Sequence, residues 1–182
     1  MILGLDVSTS CTGWCVLTEN GSLVSMGTID LSKKKSTYSK GDLVRSVFHN
    51  LLISHTISKV YVEENLQAFR SGFSSAKTLS TLARFNGIVS FIAYEVFCVE
   101  PTHINVNAAR KSLGIKIIRE KICGVSTKDQ VLKWVGGNLS NHKWPTKVLK
   151  SGPRKGKEIL DVKSYDMADA YVIGAAGLKM NM

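Results

Sequence analysis

With 182 residues and 44% hydrophobic content, the chain can bury one sizeable core but is short for two ordinary domains, so residues 1–182 are expected to form a single domain. Its longest uncharged apolar stretches, Gly87 to Tyr94 and Val172 to Leu178, fall far short of the roughly 20 residues of a membrane helix, which excludes a helical span and favours a soluble protein. A net charge of +10 points to a polyanionic partner.

Ile2 to Val7 is a short, nearly continuous apolar run and predicts a central strand buried on both faces. Because the chain enters this strand directly at Met1, it leaves no room for a signal or transit peptide, and a cytoplasmic location is expected. Gly13 to Thr18 and Leu23 to Ile29 predict two further strands around an Asn20-Gly21 hairpin turn, giving an antiparallel meander. A lysine-rich loop, 32–40, leads to a helix over 41–55 with Leu43, Val47, Leu51 and Leu52 on one face. Ser58 to Glu63 predicts a strand parallel to the first, so that Asp6 and Glu63 lie side by side.

A polar loop, 65–75, precedes a long buried helix reaching Tyr94, with Leu79, Leu82, Ala83, Val89 and Ile92 near helical spacing. Phe97 to Val106 predicts a fifth strand that Pro101 bends or pushes to an edge. Short helices are expected over 107–113 and 127–135, the second capped near Ser126. The stretch 136–163 lacks periodicity and reads as a loop. A final helix spans 164–178, with Ser164 as its N-cap and Asp166 and Asp169 on one face of its opening turns.

The positive charge is segregated. Residues 110–128 and 143–163 each carry a balance of +5, and the rest of the chain sums to zero. Such blocks suit a polyanion that touches two particular segments, with salt-sensitive binding; generic solubility is the alternative. Cys11, Cys15, Cys98 and Cys123 form no Cys-x-x-Cys pair, and His49, His55, His103 and His142 are scattered, so these residues read as reduced or structural rather than metal-binding.

Asp6 and Glu63 end buried apolar runs, and Asp166 and Asp169 open a helix. Ionised carboxylates beside apolar surface need a cation or a shifted pKa, and several converging on one spot repel each other unless divalent metal sits between them. Hard oxygen ligands suit Mg²⁺ or Mn²⁺, and two such ions can clamp the attacking and leaving oxygens of a phosphodiester. Metal-dependent cleavage of nucleic acid is the chemistry this pattern suggests. Each acid also has a plainer reading: Asp6 as a hydrogen-bonded carboxylate at a turn, Asp166 and Asp169 as compensation of the helix dipole.

The order of elements is that of a ribonuclease H-like α/β fold, a mixed five-stranded sheet, antiparallel meander then parallel strands, flanked by helices. Ile2-Leu3-Gly4-Leu5-Asp6-Val7-Ser8 with Thr12-Gly13-Trp14 resembles the opening of the RuvC-type Holliday junction resolvases, as do Val62-Glu63-Glu64 and Asp166-Met167-Ala168-Asp169-Ala170. Thr81-Leu82-Ala83-Arg84-Phe85-Asn86-Gly87 resembles the family's buried helix. Asn107-Ala108-Ala109-Arg110-Lys111 and Ser126-Thr127-Lys128-Asp129-Gln130-Val131 resemble its basic segments, so the likeness covers almost the whole chain in order.

The resemblance implies a single RuvC-like nuclease domain in which Asp6, Glu63, Asp166 and Asp169 hold two Mg²⁺ ions, with Mn²⁺ able to substitute. It implies a homodimer that cuts four-way junctions or other branched DNA and leaves 5′-phosphate ends; the compact form and lysine-rich loop suit a bacterial cell or phage-infected host. Successive strand residues face opposite ways, so only one of Glu63 and Glu64 can join Asp6, and the motif selects Glu63. Lys128 is placed near the reacting phosphate, with an ordinary phosphate contact or a first-turn helix lysine as its alternatives. Arg110 and Lys111 fit DNA-backbone contacts, and Lys116, Lys147, Lys150, Arg154 and Lys155 extend the basic surface. The family's junction-wedging aromatic has Leu66 at its offset here, which leaves Phe69 as the candidate wedge and Phe73 as a core residue or second candidate. Two rival readings stand beside this one: an actin-like or sugar-kinase-like nucleotide-binding protein, suggested by Asp6-Val7-Ser8-Thr9-Ser10, and a branched nucleic-acid-binding module without catalysis.

Overall fold

Alternation along the first strand sets the layers of the molecule. The computed structural model describes residues 1–64, 76–140 and 142–181; Leu66, Phe69 and Phe73 lie outside them. In β1 (Ile2–Asp6), Leu3 and Leu5 enter one apolar cluster and Ile2 enters another on the opposite side of the sheet. Side chains two apart in a strand share a face, so Gly4 and Asp6 belong to the Ile2 side.

β2 (Cys11–Leu17) and β3 (Leu23–Asp30) run antiparallel beside it, while β4 (Lys59–Glu63) and β5 (Thr102–Ile104) add in parallel. The order β3-β2-β1-β4-β5 is the mixed five-stranded sheet expected from the sequence. Gly21 takes the positive φ that the tight β2–β3 turn requires. Helices α1 (Thr37–Ser54) and α2 (Ala76–Phe97) pack on the Leu3 and Leu5 face. The other face carries α3 (Val106–Ser112), α5 (Thr127–Asn138) and α6 (Lys163–Met180), with the single turn α4 (Glu120–Cys123) between α3 and α5.

Several elements differ from expectation for local reasons. α1 begins earlier because the Ser36 hydroxyl accepts the Ser39 N–H at 3.0 Å, and its buried face centres on Val44, Phe48 and Leu51 while Leu52 is exposed. α2 is buried only from Phe85 onward; its first turns leave Ala83 exposed and Leu79 and Leu82 half-buried. Pro101 cannot donate to a ladder, and the fifth strand shrinks to three residues at the sheet edge. Within 136–163, α5 runs on to Asn138 and β6 (Thr146–Val148) pairs antiparallel with β7 (Glu158–Leu160), so part of the expected loop is a ribbon. Ser164 is not the cap of α6. It is a buried residue inside the helix, and the Asp161 carboxylate instead accepts the Lys163 N–H at 3.0 Å. All four cysteines are free, and no helix among the described residues is long and apolar enough to cross a membrane.

What positions the last helix is the absence of side chains beneath it. A Cβ on Gly4 would stand 2.5 Å from the Ala170 carbonyl oxygen, and one on Gly13 only 2.0 Å from that of Asp166. Glycine weakens a strand, but here it lets the helix backbone rest on the sheet. Gly13→Ala is therefore expected to cost about 1–3 kcal/mol by overpacking and to lift the first turn of α6 off β2. Thermal unfolding checks it, and an unchanged midpoint would contradict this contact.

Candidate active site

Three elements deliver the acids to one end of the sheet. Leu5 is opposite Val62 in the parallel β1–β4 pair, so Asp6 and Glu63 follow at the same level, one step beyond. Val60 and Val62 point to the α1 and α2 side and Tyr61 to the α6 side; the period of two puts Glu63 on the α6 side with Asp6. Asp6 is also opposite Gly13, the residue under Asp166. The close approach of helix to strand thus brings the first turns of α6 to Asp6.

The converging groups act on one another electrostatically. Burial, then the charges of Glu63, Asp169 and Asp166, raise the Asp6 carboxyl well above its ordinary range, against a smaller opposing effect of Lys128. Burial first, then Asp169, pushes Glu63 up to about 7, although Arg110, the Asp6 carboxyl and Lys128 pull the other way. Asp169 is raised by burial and by Asp166, and lowered by Arg110 and Lys128. Four acids and two cations therefore act on one another in a partly desolvated site.

The cations do not neutralise it. Arg110 Nη2 lies 3.7 Å from Asp169 Oδ1, close enough for Coulombic attraction but too long for a hydrogen bond. Accordingly Asp169 Oδ1 and Arg110 Nε are both buried without a hydrogen-bond partner. Lys128 projects from the first turn of α5 with its ammonium 5.9 Å from the centre of the Tyr165 ring. Among the described residues, no three His, Cys, Asp or Glu side chains enclose a point as a ready-made metal cage. The donor set nevertheless fits a hard divalent cation: it is all-oxygen, Asp6, Glu63 and Asp169 are raised by burial and by neighbouring carboxylates, and one carboxylate oxygen is left unsatisfied.

Neighbouring groups hold the acids in place. Buried Asn86 of α2 donates to the Glu63 carbonyl at 2.9 Å, and the Glu64 N–H donates to the Ile104 carbonyl at 2.9 Å, so the end of β4 is fastened on both sides. Lys163 pairs with Asp30 at 3.0 Å and ties the start of α6 to the end of β3. Cys11 touches Asp166, and burial first, then that carboxylate, pushes its thiol up to about 12, so it is present as a neutral thiol.

Of the residues singled out in the sequence, Asp6, Glu63, Asp166, Asp169 and Lys128 come together. Arg110 joins them, drawn against Asp169 rather than displayed outward. Lys111 and Lys116 are exposed on α3 and just after it, while Lys147 sits on β6 and Lys150, Arg154 and Lys155 are exposed in the turn of the ribbon. Phe69 lies outside the described residues. Sequence reasoning passed over Asn86 and Tyr165, whose roles come from partners distant in the chain; only the placement of Asn86 within a resembling motif could have marked it.

Comparison with solved structures agrees with this architecture. Thermus thermophilus RuvC in complex with Holliday junction substrate superimposes with a TM-score of 0.65 at 17% identity, covering 100% of this chain and 94% of that one. The chain has the RuvC fold. A second structure of Thermus thermophilus RuvC gives a TM-score of 0.62 at 18% identity over 100% and 95% of the two chains. The yeast mitochondrial Holliday junction resolvase Ydc2 gives 0.55 at 16% identity, with 98% of this chain and 77% of that chain covered. No family model matches the chain, and no curated protein matches it by sequence. The RuvC fold is a ribonuclease H-like fold, and the likeness runs through the whole chain although few residues are shared.

Proposed function

We propose that this protein is a metal-dependent endonuclease that cuts four-way junctions or other branched DNA by two-metal phosphodiester hydrolysis. The observation that carries the reading is the convergence of Asp6, Glu63, Asp166 and Asp169 at the strand ends of a RuvC fold, where Asp6, Glu63 and Asp169 are raised despite Lys128 and Arg110 beside them. Asp6, Glu63, Asp166 and Asp169 would hold Mg²⁺ or Mn²⁺. When bound, the ions supply an activated water and stabilise charge on the departing oxygen. The chain's own contribution is to bring four carboxylates together at the strand ends, where burial first and their mutual repulsion second favour a cation between them. Asn86 fixes the level of Glu63, and Arg110 restrains Asp169. Lys128 places positive charge where the phosphate gains negative charge.

Residues 1–182 would act as one nuclease domain, in the cytoplasm of a bacterial cell or phage-infected host, leaving 5′-phosphate ends. A two-fold junction offers equivalent strands, so a homodimer would set one site on each. Exposed Tyr38 of α1 with Phe91 and Tyr94 of α2 give a second copy an apolar face to cover. DNA would lie over the basic segments, with Arg110, Lys111 and Lys116 on one side and the ribbon residues Lys147, Lys150, Arg154 and Lys155 on the other.

The test is incubation of labelled four-way junction, flap, linear duplex and RNA hybrid with and without Mg²⁺, on protein whose mass in solution is measured alongside. Metal-dependent paired incision of the junction is expected; equal cutting of linear duplex would remove the structure selectivity, and a single-chain mass would remove the dimer. Reversing Lys150, Arg154 and Lys155 together is expected to weaken junction binding and to flatten its dependence on salt by about three units of log–log slope, since roughly one counterion is released per phosphate contact. Fluorescence anisotropy across a salt series measures it, and an unchanged slope would take the ribbon off the DNA.

A further inference from the structure

The aromatic ring beneath Lys128 belongs to a small network that joins the two helices of the site. Tyr165 is one residue before Asp166 on α6, and its hydroxyl donates to Asp129 Oδ1 of α5 at 2.6 Å. The other oxygen, Asp129 Oδ2, accepts the Ser126 hydroxyl at 2.6 Å, and Ser126 Oγ in turn accepts the Asp129 N–H at 3.1 Å as the cap of α5. The chain of bonds therefore runs from the cap of the helix that bears Lys128 to the first turn of the helix that bears the aspartates.

Two physical consequences concern the lysine. Asp129 is its neighbour in sequence and the nearest competitor for its charge by chain position; with both carboxylate oxygens occupied by hydroxyls, Asp129 makes no ion pair among the described residues. The ring offers Lys128 a face 5.9 Å from its ammonium, within the range of cation–π attraction, and a phenol that donates to a carboxylate is richer in electrons than a free one. The ammonium is exposed and would otherwise sample many rotamers. Held over this ring, it lies where its field reaches Asp6, Glu63 and Asp169.

We propose that Tyr165 and Asp129 are positioning residues that hold the Lys128 ammonium over the acid cluster, Tyr165 by its ring and Asp129 by fixing the tyrosine hydroxyl. The inference rests on the nuclease reading for its effect on rate, but the placement of the lysine can be measured without cleavage.

The experiment is a double-mutant cycle on the full chain, comparing wild type, Tyr165→Leu, Tyr165→Phe and Lys128→Ala for single-turnover junction cleavage, junction affinity and thermal unfolding, with the Lys128 ε-methylene followed by NMR. Tyr165→Leu is expected to lower the cleavage rate about two- to fivefold, the fold-change of an exposed cation–π contact, with junction affinity unchanged and with the unfolding midpoint lowered, by loss of the hydroxyl bond to Asp129, to the same extent whether or not Lys128 is present. Tyr165→Phe, which keeps the ring, loses less. In the Lys128→Ala background neither substitution has any further effect on the cleavage rate. The ε-methylene carries an upfield ring-current shift in wild type that Tyr165→Leu removes. An equal loss of rate in both backgrounds, or no loss of rate at all, overturns the proposal. If Tyr165→Leu is unfolded, Tyr165→Phe with and without Lys128 decides on the same criterion. Should wild type cut no junction, the nuclease reading fails by itself, and the ring-current shift alone upholds or overturns the placement.

Discussion

Asp6→Asn is expected to abolish junction cleavage while leaving junction binding intact. Asp6 is the acid on which the other three act, so neutralising it removes a hard oxygen ligand from the centre of the set. Loss of one preorganised electrostatic group typically costs about 10²–10³ in rate, and an acid that also holds metal belongs at or beyond the upper end. Binding should survive because the substitution removes negative charge from a surface that meets phosphates, and asparagine keeps the shape of the side chain. Single-turnover cleavage and gel-shift titration of the same preparation separate the two effects. Cutting by this variant at the wild-type rate would show that Asp6 has no part in the chemistry.

The stability of the metal-free protein is expected to fall as pH rises from about 5 to 8, and added Mg²⁺ should restore it more at the alkaline end. Glu63 is raised from 4.5 in the unfolded chain to about 7 in the folded protein, chiefly by burial and by Asp169. A carboxyl that binds its proton more tightly when folded stabilises the fold fully below the unfolded value, and that contribution is lost as pH climbs to the folded one. The shift amounts to about 3 kcal/mol over this window. Asp6 and Asp169 are raised as well and act in the same direction. Asp30 and Asp129 are held low by hydrogen bonds, Asp30 from Ser32 and Lys163 and Asp129 from Ser126 and Tyr165, so their contributions vanish only in acid, outside this range. Mg²⁺ binds the deprotonated acids and stabilises by mass action, so its effect grows with pH. Unfolding midpoints at several pH values, with chelator and with Mg²⁺, test the sign. A midpoint that rises from pH 5 to 8 in chelator, or is no steeper in wild type than in Glu63→Gln, would remove the repelling acids from the account.

Much of the site could be anticipated because its first two acids follow from local pattern. Asp6 and Glu63 each close a short branched apolar run, and the intervening helix makes those runs parallel neighbours. The period of two shows that only one of Glu63 and Glu64 can join Asp6, the family motif selects Glu63, and the buried faces of β4 put Glu63 on the side of Asp6. The start of α6 was less legible. Ser164 has the composition of a cap, yet the ribbon feeding the helix places Asp161 where the orphan N–H groups lie, and Ser164 is turned into the core. The ribbon itself escaped notice because two three-residue strands are too short for alternation to register.

By itself the sequence determined what its residue order dictates locally: the sheet's central strand, the meander turn at Gly21, the cap of α5 at Ser126, and which acids end buried strands. Tertiary structure alone decided which charges face one another. Arg110 and Asp169 are far apart in the chain, Tyr165 and Asp129 likewise, and nothing in their neighbours announces the pairing. The reason is physical. Strand and helix preferences act over a few residues, whereas the position of α6 depends on Gly4 and Gly13 leaving its backbone room against the sheet. That contact sets where Asp166 and Asp169 stand, and burial there, felt only in the folded molecule, raises the carboxyls of Asp6, Glu63 and Asp169 together.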